Sequence, residues 1–281
     1  MEMTNKGGYV HNAIFDDKSL IKFNPTCVDN FFSEPDKIRS FALSLKKEKD
    51  KNGSWPGVRS KPLYQIDNAF NKLFCMKVLS CYYDLRYVDV TWSTADVMFQ
   101  QILPDQLNNT INEGWIHKDI GFDLAGLIYL TPNADLNSGT SLFNLKPKEE
   151  KNFLLYGLQS EKECYNEQKS NIKNYKKQLE NNNNKFYEKT RFQNLYNRLI
   201  VYDSNEYHKA NNLYAGKNVD DRLTLVFFIS GINSTKTKYP IERIKDYENY
   251  DTAINYRIDF LKNEDIKSKT ITPKETDISD K

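Results

Sequence analysis

His117 and Asp119 stand two apart in a chain that holds only three histidines. If residues 115–120 are extended, side chains alternate between faces, so these two project the same way and can share one metal ion. A third ligand has to come from a distant segment. The remaining histidines are His11, in a polar N-terminal stretch, and His208. His208 is the better choice, because it follows the apolar run Leu199-Ile200-Val201-Tyr202, which reads as a buried strand leaving through Asp203-Ser204-Asn205.

Arg222 opens another apolar run, Leu223-Thr224-Leu225-Val226-Phe227-Phe228-Ile229. In a strand Arg222 and Thr224 share a face. A guanidinium carried into so apolar a strand needs an anion, and its planar fork suits a carboxylate, so the run reads as the floor of a pocket for a dicarboxylate. Two imidazoles and one carboxylate on one face of a metal, with the other positions open, is the arrangement expected of mononuclear non-heme Fe(II) oxygenases. Neutral imidazoles suit a ferrous ion, the carboxylate offsets part of its charge, and the open positions admit a co-substrate and dioxygen together. Ligand types alone leave open Mn or Zn in a cupin-like protein, and a catalytically silent β-helix used for binding.

The series His117-x-Asp119, Leu127-Ile128-Tyr129-Leu130-Thr131, Ser138-Gly139-Thr140-Ser141-Leu142-Phe143, Tyr207-His208 and Arg222-x-Thr224 resembles the 2-oxoglutarate-dependent Fe(II) dioxygenases, in particular their prolyl-hydroxylase-like branch. The resemblance spans about residues 97 to 231. It implies a double-stranded β-helix, a jelly-roll or cupin-like barrel, in an α+β chain that is mainly β with flanking helices. It implies His117, Asp119 and His208 as iron ligands, and Arg222 with Tyr129 and Thr224 on the distal carboxylate of 2-oxoglutarate. Dioxygen would be the other co-substrate, ascorbate a supporting reductant, and a peptidyl or small-molecule C–H bond the target. Related halogenases carry a small residue where Asp119 stands, so the retained carboxylate points to hydroxylation. The interval from His117 to His208 is longer than is usual in that family, and Ser138 stands where a glycine often precedes the Gly-Thr pair.

Composition excludes several other classes. Forty basic and thirty-eight acidic residues leave a net charge of +2, with the signs interspersed, so nothing concentrates charge for a nucleic-acid partner. The first twenty residues lack the apolar segment of a signal peptide, and no apolar run is long enough to cross a bilayer as a helix. Cys27, Cys75, Cys81 and Cys164 form no CxxC pair and read as core thiols of a reducing compartment, which points to the cytoplasm. Oligomeric state is not legible.

The supporting elements follow from punctuation and periodicity. One domain over residues 1–232 is expected, with a polar extension over 233–281 in which Ile241, Ile244, Tyr247 and Tyr250 mark a short helix. Ser33-Glu34-Pro35-Asp36 offers a helix start, with Ser33 as the capping hydroxyl and Ile38, Phe41, Ala42 and Leu45 at helical spacing. A second helix is predicted within residues 68–85, and strands over 88–92, 96–103, 124–131, 140–145, 198–202 and 222–229. Residues 146–194 interrupt the β pattern as a helical insertion around Tyr165, Ile172, Tyr175 and Leu179, ended by four asparagines, and read as a lid, a dimer contact or a solvated excursion. The turn-rich residues 53–60 carry Trp55 and Arg59, which read either as a substrate-side loop or as packing, with Arg59 paired to an acid.

Overall fold

A computed structural model of the protein describes residues 23–49, 55–103, 112–147, 149, 172–216 and 221–235. Along them run β1 (Thr26–Val28), α1 (Pro35–Ser44), β2 (Lys47–Glu48), β3 (Val58–Ser60), α2 (Leu63–Ile66), α3 (Asn68–Leu79), β4 (Val90–Thr91), β5 (Thr94–Ile102), β6 (Leu124–Tyr129), β7 (Thr140–Leu145), α4 (Ile172–Asn183), β8 (Phe186–Phe192), β9 (Leu199–Asp203), β10 (Tyr207–Ala210), β11 (Arg222–Ser230) and β12 (Asn233–Ser234). The sheets are antiparallel: a large one ordered β1-β9-β6-β11-β5-β3-β2, a small one ordered β10-β7-β8, and the pair β12-β4.

The central strands of the large sheet are buried on both faces, as their unbroken apolar runs require. Alternation along β11 sends Leu223, Leu225, Phe227 and Ile229 to one face, where they join Ala42 of α1 and Phe74, Cys75, Val78 and Leu79 of α3 in one apolar cluster. Phe74 meets Phe227 edge-on at 5.2 Å. Arg222, Thr224, Val226 and Phe228 take the opposite face. There Ala125, Tyr129, Ile200 and Tyr202 of the large sheet pack against Leu142 of the small one, so the two sheets face each other.

Several expectations shift. The helix after Ser33 forms, but Glu34 takes the capping position and no side chain bonds the open amides. Pro35 in the first turn removes one of those amides, which lessens the need for a cap. Asp67 does cap α3, accepting from the Phe70 amide at 2.9 Å. Residues 88–92 keep only the short β4. Residues 186–192, expected within a helical excursion, are strand β8 at the edge of the small sheet. Its sequence Phe-Tyr-Glu-Lys-Thr-Arg-Phe hides the alternation because an exposed edge strand carries charge against unwanted pairing. The expected core location of the thiols holds for Cys75 alone; Cys81 is half-buried and Cys27 exposed, and all three are free. His11, Cys164, Tyr165 and the helix expected around Ile241 lie outside the described residues.

Gly126 shows how tightly the large sheet is packed. A Cβ there would stand 2.3 Å from the Ile200 carbonyl oxygen and 2.5 Å from the Phe227 ring. The obstacle is backbone and cannot swing away. Gly126→Ala is expected to cost on the order of 2–3 kcal/mol in urea unfolding, as overpacking does. A loss within about 0.5 kcal/mol, the range of neutral surface changes, would contradict this packing.

Candidate metal centre

The segment before β6 lies along the free edge of β10. His117 and His208 exchange both backbone hydrogen bonds, His117 N–H to His208 O at 3.1 Å and His208 N–H to His117 O at 2.9 Å. The Gly114 amide bonds Ala210 O at 2.8 Å, and the Asp119 amide bonds Ser204 O at 3.0 Å. Residues 115–120 therefore supply an isolated bridge rather than the full strand first expected. One bridge suffices, since it sets the two imidazoles side by side, with ring centroids 4.4 Å apart.

Each imidazole has its Nδ1 against a backbone carbonyl: Trp115 O at 2.7 Å for His117, and Glu206 O at 3.0 Å for His208. A carbonyl only accepts, so the proton sits on Nδ1 and Nε2 presents its lone pair. Asp119 faces both, with Oδ1 3.7 Å from His117 Nε2 and Oδ2 3.2 Å from His208 Nε2. The three groups offer ligand atoms within 4.8 Å of one another. Side-chain exposure is 35% for His117, 15% for Asp119 and 7% for His208, so the cluster opens on the His117 side.

Electrostatics favours the ligand forms. Burial, with His208 adding to it, holds His117 below the usual imidazole range. Burial works to raise Asp119, but His208 and His117 outweigh it and keep the carboxyl low, hence ionised. Tyr202 packs against His208 with its ring tilted, 4.7 Å between centroids; burial pushes its phenol well above the ordinary range, and the nearby Asp119 charge adds to that.

Deeper between the sheets, β11 carries Arg222 and Thr224, both buried. The register sets Thr224 opposite Tyr129 on β6 and Gln100 on β5. Arg222 Nη2 reaches Ser138 O at 3.4 Å, a long contact, while its Nε and the Thr224 hydroxyl are buried with no partner among the described residues. Burial lowers the Arg222 pKa, and Tyr129 acts against that. Tyr129 donates to Thr140 Oγ1 at 2.9 Å and is pushed up to about 12 by burial, so it remains a neutral donor. Gly139, before Thr140, is demanded by space: a Cβ would stand 1.8 Å from the Phe192 carbonyl oxygen. A buried guanidinium with an unsatisfied Nε beside an unsatisfied hydroxyl is the donor set that an anion site needs.

The six residues expected from the sequence thus form two groups, His117 with Asp119 and His208, and Arg222 and Thr224 with Tyr129, and Tyr202 links them through its contacts with His208 and with the cluster around Tyr129. Two further groups matter. Tyr202 sits on the interior face of a run read only as a buried strand. Arg59 was left between a substrate role and packing; it lies in β3, donates from Nε to Gln100 Oε1 at 3.0 Å, and stacks over Trp55 at 4.2 Å.

The sequence matches DUF6445, a family of unknown function, over residues 23–229. The chain belongs to the DUF6445 family. Among solved structures, this DUF6445 chain is similar to HygX from Streptomyces hygroscopicus with nickel and 2-oxoglutarate bound, at 13% identity over 74% of this chain and 83% of that one, TM-score 0.42. It is also similar to a prolyl hydroxylase from Trichoplax adhaerens in complex with a hypoxia inducible factor peptide fragment, at 11% identity over 73% and 83%, TM-score 0.39. A prolyl-4-hydroxylase from Pseudomonas putida shares 11% identity over 73% and 91%, TM-score 0.37. No curated protein matches. Likenesses this loose say nothing of activity, so the chemistry of the DUF6445 chain is read from its own side chains.

His117 gives a direct check. In metal-free protein, proton NMR is expected to show its imidazole titrating below 6.5, and Asp119→Asn to move it lower still, because the carboxylate favours the imidazolium. A midpoint at or above 6.5, or an upward shift in the variant, contradicts the geometry.

Proposed function

We propose that the protein is an Fe(II)- and 2-oxoglutarate-dependent dioxygenase that hydroxylates a C–H bond of a small-molecule or peptidyl substrate. In this reading the facing sheets act as a double-stranded β-helix that holds the centre. The observation that carries it is the grouping of His117, Asp119 and His208 around one point, with Tyr202 linking His208 to the cluster around Tyr129, beside which Arg222 Nε and the Thr224 hydroxyl are buried and unsatisfied.

The residues fit both groups. His117 and His208 would hold the metal through Nε2, each ring oriented by its Nδ1–H on a backbone carbonyl, and Asp119 would supply the charged ligand. When bound, iron with 2-oxoglutarate and dioxygen supplies oxidative decarboxylation to succinate and carbon dioxide, coupled to oxygen insertion into a C–H bond. Arg222 would take the distal carboxylate of 2-oxoglutarate, with the Thr224 hydroxyl and the Tyr129 phenol beside it. Burial strengthens these contacts by excluding water from them. Tyr202, neutral and packed on His208, keeps that ring in place. The free thiols Cys27, Cys75 and Cys81 fit a reducing compartment, such as the cytoplasm, in which iron stays ferrous. Among the described residues no helix is long and apolar enough to cross a membrane.

Purified protein given Fe(II), ascorbate and 2-oxoglutarate is expected to release succinate without an added substrate, and His117→Ala to abolish it. Arg222→Gln is expected to raise the KM for 2-oxoglutarate roughly 10- to 100-fold, the worth of one or two charged hydrogen bonds, while metal affinity stays. Calorimetry that finds neither metal nor 2-oxoglutarate bound would sink the proposal.

A further inference from the structure

The segment that carries His117 has β10 along one side. In an antiparallel pair, a residue that exchanges both hydrogen bonds turns its N–H and C=O toward the partner, and its neighbours turn theirs away. His117 commits both groups to His208, so Ile116 points its own N–H and C=O to the other side, where a further strand would lie. Among the described residues no strand lies there; the C-terminal end of α4 does. Asn183 Oδ1 accepts from the Ile116 amide at 3.0 Å, and Asn182 Nδ2 donates to the Ile116 carbonyl at 3.1 Å. Asn183 Nδ2 donates to Gly114 O at 3.2 Å, and Asn182 Nδ2 gives a second bond to Asn183 Oδ1, also at 3.2 Å. Two side-chain amides thus reproduce the pair of bonds that a neighbouring backbone would exchange with Ile116.

Resting on the metal reading above, we infer that Asn182 and Asn183 are positioning residues for the metal centre, and that the helical insertion buttresses the His117 segment. Asymmetry is the first reason. His208 lies within β10, laddered to β7 over four residues, whereas His117 sits on an isolated bridge. Ring orientation is the second. Trp115 O, which takes the His117 Nδ1–H, lies between the two residues that the asparagines hold, so the clamp fixes the acceptor that aims Nε2 at the metal. Burial is the third. Ile116 is 3% exposed and packs in a cluster with Phe143, Leu145, Phe186 and Tyr207, so its amide and carbonyl have little water to turn to. Residue type fits as well, because asparagine ends a short side chain in the same amide as the backbone, with donors and an acceptor together. The helix end is itself anchored: Lys185 O accepts from the Lys146 amide at 2.9 Å, and Phe186 pairs with Leu145 of β7. One small sheet therefore holds both His208 and the clamp on His117. In the run of four asparagines, Asn181 and Asn184 are exposed, and the two between them bond the segment.

The test uses full-length protein, Co(II) as the probe metal, and amide hydrogen exchange read by NMR. In metal-free protein the Ile116 amide is expected to exchange slowly, and Asn183→Ala to speed it roughly tenfold, the worth of one hydrogen bond. Asn183→Ala and Asn182→Asp are each expected to weaken Co(II) binding roughly 10- to 100-fold, as loss of a group that orients a ligand does, and to alter the visible spectrum of the bound ion. The aspartate keeps the size of the side chain and removes both bonds it donates. Its negative charge by itself favours a cation, so weaker binding reports a displaced segment. Asn181→Ala, at the same helix end, is expected to bind Co(II) as the unmodified protein does. A role in stability alone would lower the unfolding midpoint while the folded variants kept Co(II) affinity and spectrum. That outcome overturns the proposal, as does an Ile116 amide that exchanges freely in the unmodified protein. Should Asn183→Ala fail to fold, Asn182→Asp decides. Failure of the unmodified protein to bind Co(II) sinks the metal reading and this one together; normal binding that both variants keep sinks this one alone.

Discussion

Two backbone hydrogen bonds between His117 and His208 hold the centre together. Side chains from segments ninety-one residues apart in sequence cannot find a common point by rotamer choice alone; the main chain must bring their Cα atoms opposite each other first. Antiparallel pairing does this directly, because a directly opposed pair projects its side chains to the same face of the ladder. Asp119 then follows from alternation, two residues along. The Nδ1 contacts to Trp115 O and Glu206 O complete the arrangement by fixing each ring and directing each Nε2 inward.

The rest of the structure supports that bridge. On its outer face the large sheet is backed by α1 and α3 through a continuous apolar cluster, which leaves the opposite face free to carry polar groups without losing the core. Arg222 and Thr224 can be buried on β11 because Leu223, Leu225 and Phe227, their sequence neighbours, contribute the apolar burial on the other side. Gly126 and Gly139 mark the places where this arrangement brings backbones too close for any side chain.

The interior strands were legible because burial on both faces writes itself as unbroken Val, Ile, Leu and Phe. The grouping of His117, Asp119 and His208 was legible because histidine is scarce here and alternation puts residues two apart on one face. Strand β8 was not, since its pairing partner β7 is fixed by backbone geometry while Tyr187, Glu188, Lys189 and Arg191, between Phe186 and Phe192, face solvent and read as a charged loop. The cap at Ser33 failed for a similar reason: composition offered a hydroxyl, but the chain enters the helix one residue later. Arg59 stayed ambiguous because nothing in the order of residues reveals that β3 joins β5 on the rung that carries Thr224. Such cross-strand neighbours are a property of the register, and a single sequence states the register only where one face is plainly apolar.

The unsatisfied Arg222 Nε and Thr224 hydroxyl carry a cost to the fold. A guanidinium kept from water without full hydrogen bonding makes the resting fold less stable than an apolar residue of similar volume would. A ligand that binds only the native state raises its stability in proportion to the logarithm of its concentration. If the pocket takes the dicarboxylate of the proposed function, the persistence of the folded chain in a cell tracks the supply of that metabolite, so that the abundance of the protein reports on metabolism apart from any turnover.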